Sequence, residues 1–278
     1  MMRKQQYAAQ TVIYLLLIGG AVLTLFPFYW MLKTALVGMD GVFEATPSFI
    51  PKSFEFHNFA DALQAQPFGR FFFNSGVVTI ANIIGVLLTS SLCAYGFSRI
   101  DWPGRDKVFG LMLTALMLPF AVVMIPQFIG WRMLNLTDTL APLILPSFFG
   151  GGLFNIFLLR QFFMGIPRDL DEAAFMDGAS HFTVYSRVIL PLSSQSMIVV
   201  GLFTFLNSWN DYLAPMIYLS SEKNYTLMLG LTLFQGAYSS QWNLMMAAVA
   251  IVVLPSLIVF LFAQRYFIEG IAMTGIKG

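Results

Sequence analysis

Six long apolar runs restrict this chain to a small set of folds. A helix needs about 20 mostly apolar residues to cross the hydrocarbon core of a membrane. Each run must be helical, because backbone N–H and C=O groups in lipid need hydrogen-bond partners within their own segment. The expected spans cover about 11–32, 71–97, 108–130, 141–163, 192–219 and 244–264.

The composition agrees with a protein that lies mostly in lipid. Hydrophobic residues make up 58% of the 278 residues and charged residues only 10%, whereas soluble domains carry about 25% charged residues. A soluble globule of this length could not cover its surface with so few charges. We therefore predict an all-α integral membrane protein, folded as a single transmembrane domain over 1–278.

The distribution of basic residues predicts the orientation, because cytoplasmic loops carry an excess of Lys and Arg. With the N-terminus inside, ten of these residues are inner and five are outer. Six spans then place the C-terminus inside as well. The inner set is Arg3, Lys4, Arg99, Arg105, Lys107, Arg160, Arg168, Arg187, Arg265 and Lys277, and the outer set is Lys33, Lys52, Arg70, Arg132 and Lys223.

The composition and the residue types exclude several kinds of site. A net charge of +1 indicates no nucleic-acid partner. The single cysteine, Cys93, lies in an apolar run and is expected to pack there. The two histidines, His57 and His181, fall in different polar segments, so no metal site is expected.

An inner segment at about 164–191 is the most polar long stretch of the chain. Asp169 is suited to be an N-cap, because a glutamate follows three residues later as in a capping box. Gly178 is suited to close this first helix. Ser180 can cap a second helix, which Pro191 should end by disfavouring helical geometry at the preceding residue.

The helix caps in this segment allow two interpretations. It could be a solvated loop that happens to contain caps. Alternatively, Ala173 and Ala174 beside Glu172 form a small, shallow face suited to the groove of another protein. Asp171, in the first turn, suits the positive end of the helix dipole and is expected to hold the helix start.

The residue spacing resembles the EAA loop of ATP-binding-cassette importer permeases, which reads E-A-A, three residues, G, nine residues, I, one residue, L-P. Val188 stands where isoleucine is usual. Other stretches, such as "MLPFAVVMIPQF" and "WNDYLAPMIYL", resemble the sugar-importer subfamily that includes the smaller maltose permease subunit and glycerol-3-phosphate permeases. The matching loop residues are Glu172, Ala173, Ala174, Gly178, Leu190 and Pro191.

This resemblance implies a type I importer permease fold with a helix–Gly–helix coupling loop on the cytoplasmic side. It implies a bacterial or archaeal plasma membrane, a second permease subunit that is usually different, two cytoplasmic ATPase subunits and an extracytoplasmic solute-binding protein. ATP and Mg²⁺ would be bound by the ATPase, since this chain has no Gly-rich phosphate loop. No cofactor and no catalytic residue are expected in the chain itself.

The same resemblance implies where the ATPase would dock. Glu172 would make a charge-assisted contact with a basic side chain of the ATPase. Asp177 and Ala179 would belong to the same surface as the matching loop residues. The C-terminal residues Gly275 and Lys277 would also reach towards the ATPase, although a frayed terminus is the simpler expectation.

The fifth span contains a polar cluster, Asn207, Trp209, Asn210 and Asp211. Polar groups at membrane depth usually face a bundle interior or an aqueous cavity. The cluster therefore predicts a translocation pathway or gate, or a purely structural role in bonding across helices.

Three other classes of protein would have sequence features that differ from those of this chain. An ion-gradient-driven secondary transporter would need several intramembrane acids or paired broken helices, and only Asp211 lies in a predicted span. An intramembrane enzyme would need a catalytic set, and no histidine lies in a span. A channel-like structural subunit would not explain the spacing of the EAA loop.

Overall fold

A computed structural model describes residues 2–44, 46, 48–236 and 241–274 of the chain. The regular elements of this described part are helices, which confirms the all-α prediction for it. The α-helices are α1 (Met2–Ala35), α2 (Met39–Val42), α3 (His57–Ala65), α4 (Phe68–Ser98), α5 (Arg105–Thr114), α6 (Phe120–Met133), α7 (Ala141–Ile144), α8 (Leu153–Met164), α9 (Asp169–Met176), α10 (His181–Val184), α11 (Leu190–Leu192), α12 (Ser194–Trp209), α13 (Leu213–Tyr218), α14 (Leu227–Gly230) and α15 (Trp242–Thr274).

Shorter segments join several of these helices. They are the 3₁₀ segments Ala115–Met117, Leu145–Phe148, Glu222–Asn224 and Leu231–Phe234, and a π-helical segment at Tyr185–Ile189.

Four helical segments in the described part are long and apolar enough to cross a membrane. Two bent pairs raise that number to as many as six, if each pair makes one span. The single segments are Gln10–Ala35, Phe68–Ser98, Ala141–Met164 and Trp242–Gln264, and the pairs are Arg105–Met117 with Phe120–Met133 and His181–Leu192 with Ser194–Trp209.

The third predicted span, 108–130, is not one straight helix. Its two halves are bent by 96° at Leu118 and Pro119. Leu118 has φ −75° and ψ 116°, the extended conformation that a following proline favours by steric clash. The fifth predicted span, 192–219, is also broken, because helix α12 ends at Trp209 and α13 begins at Leu213.

The chain forms two compact units, Met1–Pro67 with Leu231–Leu254, and Phe68–Gly230 with Pro255–Gly278. In the first unit, Asn58 on α3 fixes the end of α1. Its side-chain amide donates to the carbonyls of Ala35 at 2.9 Å and Val37 at 3.0 Å, and its Oδ1 accepts from Asn243 at 3.3 Å. These bonds satisfy carbonyls that the helix end would otherwise leave without a partner.

The second unit is built around α4, which packs against α8 and α12. The fully buried residues of its core include Ala94, Leu159, Phe163, Ile189 and Val200. Small residues on α4 let the neighbouring backbones approach closely, as is usual between membrane helices.

A glycine run before α8 makes one of these close approaches. Gly151 has φ +64°, and a Cβ there would lie 2.7 Å from the carbonyl oxygen of Val86 and 2.9 Å from Thr89 Oγ1. Only glycine meets both the left-handed backbone and the lack of space at this position.

Asp138, between α6 and α7, ties its loop to the segment after α13. Its carboxylate accepts bonds from the N–H groups of Ser220 at 2.9 Å and Ser221 at 2.8 Å, and from the Ser221 hydroxyl. Its own N–H donates to the carbonyl of Tyr218 at 2.8 Å. The side-chain and backbone bonds from Ser221, with the bond from Ser220, hold the pKa of Asp138 well below its usual value.

We expect Gly151→Ala to destabilise the chain more than Gly104→Ala. Gly104 also has a positive φ of +86°, but a Cβ there meets nothing within 4 Å. The control, Gly104→Ala, should therefore lower the stability only by the cost of a left-handed backbone at alanine, about 1–2 kcal/mol. Gly151→Ala should lower the stability by about 1–3 kcal/mol more, because its Cβ would overpack the contact with α4. Thermal unfolding of the purified chain in detergent measures both, and equal losses would contradict the close approach to α4.

The Asp138 carboxylate should make the chain acid-sensitive. Because its folded pKa is below its unfolded value of about 3.9, its contribution to stability is complete above that value and declines as the pH falls below it. Thermal unfolding at a series of pH values should show a steeper loss in the original protein than in Asp138→Asn. Glu222→Gln, which removes an exposed acid from the partner segment, should keep the original slope.

Candidate functional site

Helix α9 carries the polar inner segment and ends as the sequence predicts, at Gly178 with φ +80°. The N–H of Gly178 donates to the carbonyl of Phe175, and the N–H of Ala179 donates to the carbonyl of Ala174, each at 2.9 Å. These two bonds form a Schellman motif, which satisfies the last carbonyls of the helix. The turn after α9 is therefore defined by backbone hydrogen bonds.

The prediction that Asp169 caps α9 is wrong. Arg168 occupies the N-cap position, without a side-chain cap bond, and its carbonyl accepts from the N–H groups of Asp171 and Glu172. Asp169 is the first helical residue and lies exposed in the first turn. Its carboxylate there still suits the positive end of the helix dipole.

Ser180 occupies the N-cap position of α10, and its hydroxyl accepts from the Thr183 N–H at 3.2 Å. The prediction that helical geometry ends at Leu190, before Pro191, is wrong. Leu190 is helical, with φ −59° and ψ −48°, and the helical run continues to Leu192. A π-helical segment, Tyr185–Ile189, precedes Pro191, and such local adjustments re-satisfy the carbonyl that is freed because proline has no N–H to donate.

A buried ion pair joins α9 to the end of α4. Arg99 Nη1 lies 3.2 Å from Asp171 Oδ2, and the two side chains are only 2% and 10% exposed. Arg99 Nη2 also donates to the carbonyls of Phe163 and of Ile166, the latter at 2.7 Å. One guanidinium thus holds the end of α4, the end of α8 and the first turn of α9.

Sequence reasoning expected Asp171 to hold the helix start, but it did not identify Arg99 as the partner. The available signal was a lone arginine directly after the second apolar run, followed 72 residues later by an acid. Spacing alone could not connect the two, because several other acids and arginines flank the same inner ends.

A second group of charges lies beside this pair. Arg105 and Arg168 both contact Asp101, at 2.6 Å and 3.3 Å, while Arg160 contacts Asp106 at 3.0 Å. The hydrogen bond and the charge of Arg168 hold the pKa of Asp101 below its usual value, with a further contribution from Arg105. These pairs are more exposed than the Arg99 pair, and exposed pairs contribute much less to stability than buried ones.

The residues predicted to dock a partner do not all share one surface. Glu172, Ala173, Asp177 and Gly178 are exposed, as is Pro191. The alanine pair is divided, because Ala174 packs against the core of its own chain, together with Ala179 and Leu190. Met176, an apolar side chain at the end of α9, is 88% exposed. No pattern in the sequence predicted this exposure.

The polar cluster of the fifth predicted span also divides into different roles. Trp209 is buried, with its ring centroid 5.9 Å from that of Phe72 and 5.6 Å from that of Phe205. Asn210 donates through Nδ2 to the carbonyl of Leu206 at 2.8 Å and so closes the end of α12. These two residues support the structure of the helix end.

Asn207 and Asp211 instead line a polar pocket of about 350 Å³ between α4, α8 and α12. Thr204, Asn207 and Ser208 project from one face of α12, at the i, i+3 and i+4 spacing of a helix, which is the signal that could have separated them from Trp209. The complete lining is Asn82, Val86, Leu143, Pro146, Ser147, Gly151, Gly152, Asn155, Thr204, Asn207, Ser208 and Asp211. The predicted tail contacts, Gly275 and Lys277, lie outside the described residues.

Breaking the buried pair should be costly. Asp171→Asn leaves the Arg99 charge buried without its counter-charge, and such changes cost about 3–5 kcal/mol. The matched control is Asp169→Asn, an exposed acid in the same helical turn, for which a change within about 0.5 kcal/mol is expected. Thermal unfolding in detergent compares them, and equal shifts would show that the pair does not hold α9.

Comparisons with known proteins agree with the resemblance seen in the sequence. The chain is 32% identical over 276 residues to the probable ABC transporter permease protein YurM of Bacillus subtilis, covering 99% of this chain and 91% of YurM. It is 34% identical to the arabinooligosaccharides transport system permease protein AraQ of Bacillus subtilis, covering 82% of this chain and 81% of AraQ. It is 33% identical to the sn-glycerol-3-phosphate transport system permease protein UgpE of Pectobacterium atrosepticum, covering 93% and 94%.

The fold is similar to that of a chain in the crystal structure of a bacterial ABC transporter involved in the import of the acidic polysaccharide alginate. The TM-score is 0.82 at 24% identity, and the match covers 95% of this chain and 98% of that one. Residues 81–272 match the model of a family described as binding-protein-dependent transport system inner membrane components. The chain therefore belongs to this family of ABC transporter permeases.

Proposed function

We propose that this chain is the membrane-spanning subunit of an ATP-driven importer that takes a carbohydrate or related solute into the cytoplasm. The observation that carries the proposal is the EAA loop, which folds as a short helix that is closed by a Schellman motif, anchored by a buried ion pair and exposed at Glu172. Relatives named as arabino-oligosaccharide, diacetylchitobiose and glycerol-3-phosphate permeases support the class of solute.

We propose six spans with both termini in the cytoplasm, in which the bent pair Arg105–Met117 with Phe120–Met133 forms the third span and α12 with α13 forms the fifth. The ten-to-five excess of basic residues on the inner segments supports this orientation. It places α9 on the cytoplasmic side and the loop that contains Asp138 on the outer side. All six spans then belong to a single permease domain in a bacterial plasma membrane.

The importer would contain at least three further kinds of subunit. Two copies of an ATPase would bind below α9 and hold ATP and Mg²⁺. A solute-binding protein would deliver the solute outside, as supported by a related structure in complex with an alginate pentasaccharide-bound periplasmic protein, at a TM-score of 0.69. A second permease subunit would complete the pathway, and the tail at Gly275 and Lys277 would contact the ATPase.

Helix α9 would transmit the movement of the ATPase to the membrane-spanning helices. Closure of the ATPase dimer would displace the exposed face of α9, and the Arg99–Asp171 pair would pass that displacement to the inner ends of α4 and α8. A close-packed core transmits strain instead of absorbing it. The spans would then rock as rigid bodies between inward-facing and outward-facing states.

The polar pocket beside α12 would form part of the translocation pathway. Pathways through membrane proteins are lined by polar side chains that would be costly in contact with lipid. Asn207 and Asp211 meet this description, whereas Trp209 and Asn210 would act by holding the end of α12 in place.

Glu172→Gln should weaken docking of the ATPase while the permease still inserts and folds. Loss of one charge-assisted hydrogen bond corresponds to about a tenfold fall in affinity. Co-purification of the ATPase with the permease from detergent measures it. Asp169→Asn is the matched control, because it removes an exposed acid from the same helix without changing the EAA motif. Equal retention of the ATPase by all three proteins would contradict the role of Glu172.

A further inference from the structure

A small pocket between the ends of α4 and α8 is lined by four arginines, and its volume is about 90 Å³. This is well below the range of about 300–1,000 Å³ that is typical of small-molecule sites, so only a compact group such as a phosphate can enter it. No acid is among the residues that line it, which are Phe97, Ser98, Arg99, Arg105, Arg160, Met164 and Arg168.

These arginines carry more charge than the acids around them neutralise. Arg99 is paired with Asp171, and the other three arginines share Asp101 and Asp106. Four positive charges against three negative charges leave a net charge of +1. The side chains of Asp101 and Asp106 are each 69% exposed, so water weakens their effect on the pocket. A group with one negative charge would therefore neutralise the cluster.

Two of the arginines keep hydrogen-bond donors for such a group. Arg105 bonds through Nε and Nη1, and Arg160 bonds through Nε and Nη2. Their remaining terminal nitrogens form no hydrogen bond within the described part of the chain, and neither nitrogen is fully buried. The bonds already made hold both guanidinium groups in place. A guanidinium group with free donors matches the geometry of phosphate oxygens.

The surface beside the pocket is apolar. Met164, which lines the pocket, is 53% exposed, and Phe162 on the same helix is 46% exposed. Trp102 is also partly exposed and packs on Phe97, with ring centroids 5.6 Å apart. Tryptophan is enriched where a membrane meets water. In the proposed orientation, this surface lies at the cytoplasmic boundary of the bilayer, where the phosphate groups of lipids are found.

We infer that the pocket binds the phosphate group of an anionic phospholipid from the cytoplasmic leaflet, with the acyl chains against the exposed apolar side chains of α8. Basic pockets between membrane helices on the cytoplasmic side are suited to anionic headgroups. Because Arg99 lines the pocket and also anchors α9, the bound lipid stabilises the attachment of α9. The inference uses the proposed orientation and does not depend on the proposed solute.

The test titrates the purified full chain in a neutral detergent with three probes. These are phosphatidylglycerol, phosphatidylcholine with the same acyl chains, and inorganic phosphate. The midpoint of thermal unfolding reports binding, because a ligand that binds only the folded state raises it. Phosphatidylglycerol should raise the midpoint more than phosphatidylcholine does, and high salt should reduce the difference. Inorganic phosphate should have little effect, because it has no acyl chains to contact the apolar surface.

Two variants locate the site. Arg160→Gln removes a free donor, and Arg168→Gln removes a side chain that is 55% exposed and paired only with Asp101, so this second variant should fold normally. Each should raise the phosphatidylglycerol concentration needed for half of the shift by about tenfold, the loss expected for one charge-assisted bond. Lys107→Gln is the matched control, because it removes an exposed positive charge from α5 outside the pocket lining. It should keep the original concentration.

Several results would overturn the inference. Equal shifts with the two lipids would show that the pocket does not select an anion. A loss in Lys107→Gln as large as in the other two variants would show attraction by the general surface charge. Inorganic phosphate as effective as phosphatidylglycerol would assign the pocket to a soluble anion. If the ATPase subunits abolish the lipid effect in the complete complex, the pocket belongs to the ATPase interface. Failure of ATP-driven uptake would contradict the proposed function and would leave the lipid titration unchanged.

Discussion

The ion pair between Arg99 and Asp171 is the contact on which the position of α9 depends. Removing two charges from water is expensive, and a buried pair is stable only when further hydrogen bonds complete its geometry. Arg99 meets this condition in part, because its Nη2 also donates to the carbonyls of Phe163 and Ile166, while Arg99 Nε and Asp171 Oδ1 have no partner among the described residues. These carbonyls lie at and just beyond the end of α8, where few backbone donors remain, although the Phe163 carbonyl also accepts from the Ile166 N–H at 3.2 Å. The same guanidinium therefore satisfies a helix end and neutralises the acid that begins the next helix.

This arrangement gives α9 two different faces. Asp171 and Ala174 face the core of the second unit, while Glu172 and Met176 remain exposed. At its other end, the Schellman motif at Gly178 sets the direction in which the chain leaves. A short helix of eight residues would be unstable alone, so these attachments supply its order. We expect a helix held in this way to move together with α4 and α8 when force is applied to its exposed face.

Local signals in the sequence predicted more of this structure than long-range ones. The helical class, the cap at Ser180 and the glycine closure at Gly178 follow from residues close together in the chain, and the structure has them. The differences from the expected structure occur at two prolines and at one long-range contact. Leu190 stays helical because a π-helical turn precedes Pro191, and the third predicted span bends at Pro119. The partner of Asp171 is 72 residues away, a distance that no local pattern can bridge.

The polar cluster at the end of α12 shows why residue type alone does not assign a role. Asn207 and Asn210 are the same residue three positions apart, yet one lines the pocket and the other closes the helix. The difference arises because α12 ends at Trp209. Asn210 lies just beyond the last turn, so its side chain can bond a carbonyl of that turn, whereas Asn207 lies inside the helix. Before that end, helical spacing groups Thr204, Asn207 and Ser208 on one face, and the aromatic residues Phe205 and Trp209 stack on another. A polar face and an aromatic face on one helix let it line a polar pocket while its other side packs in the core of the unit.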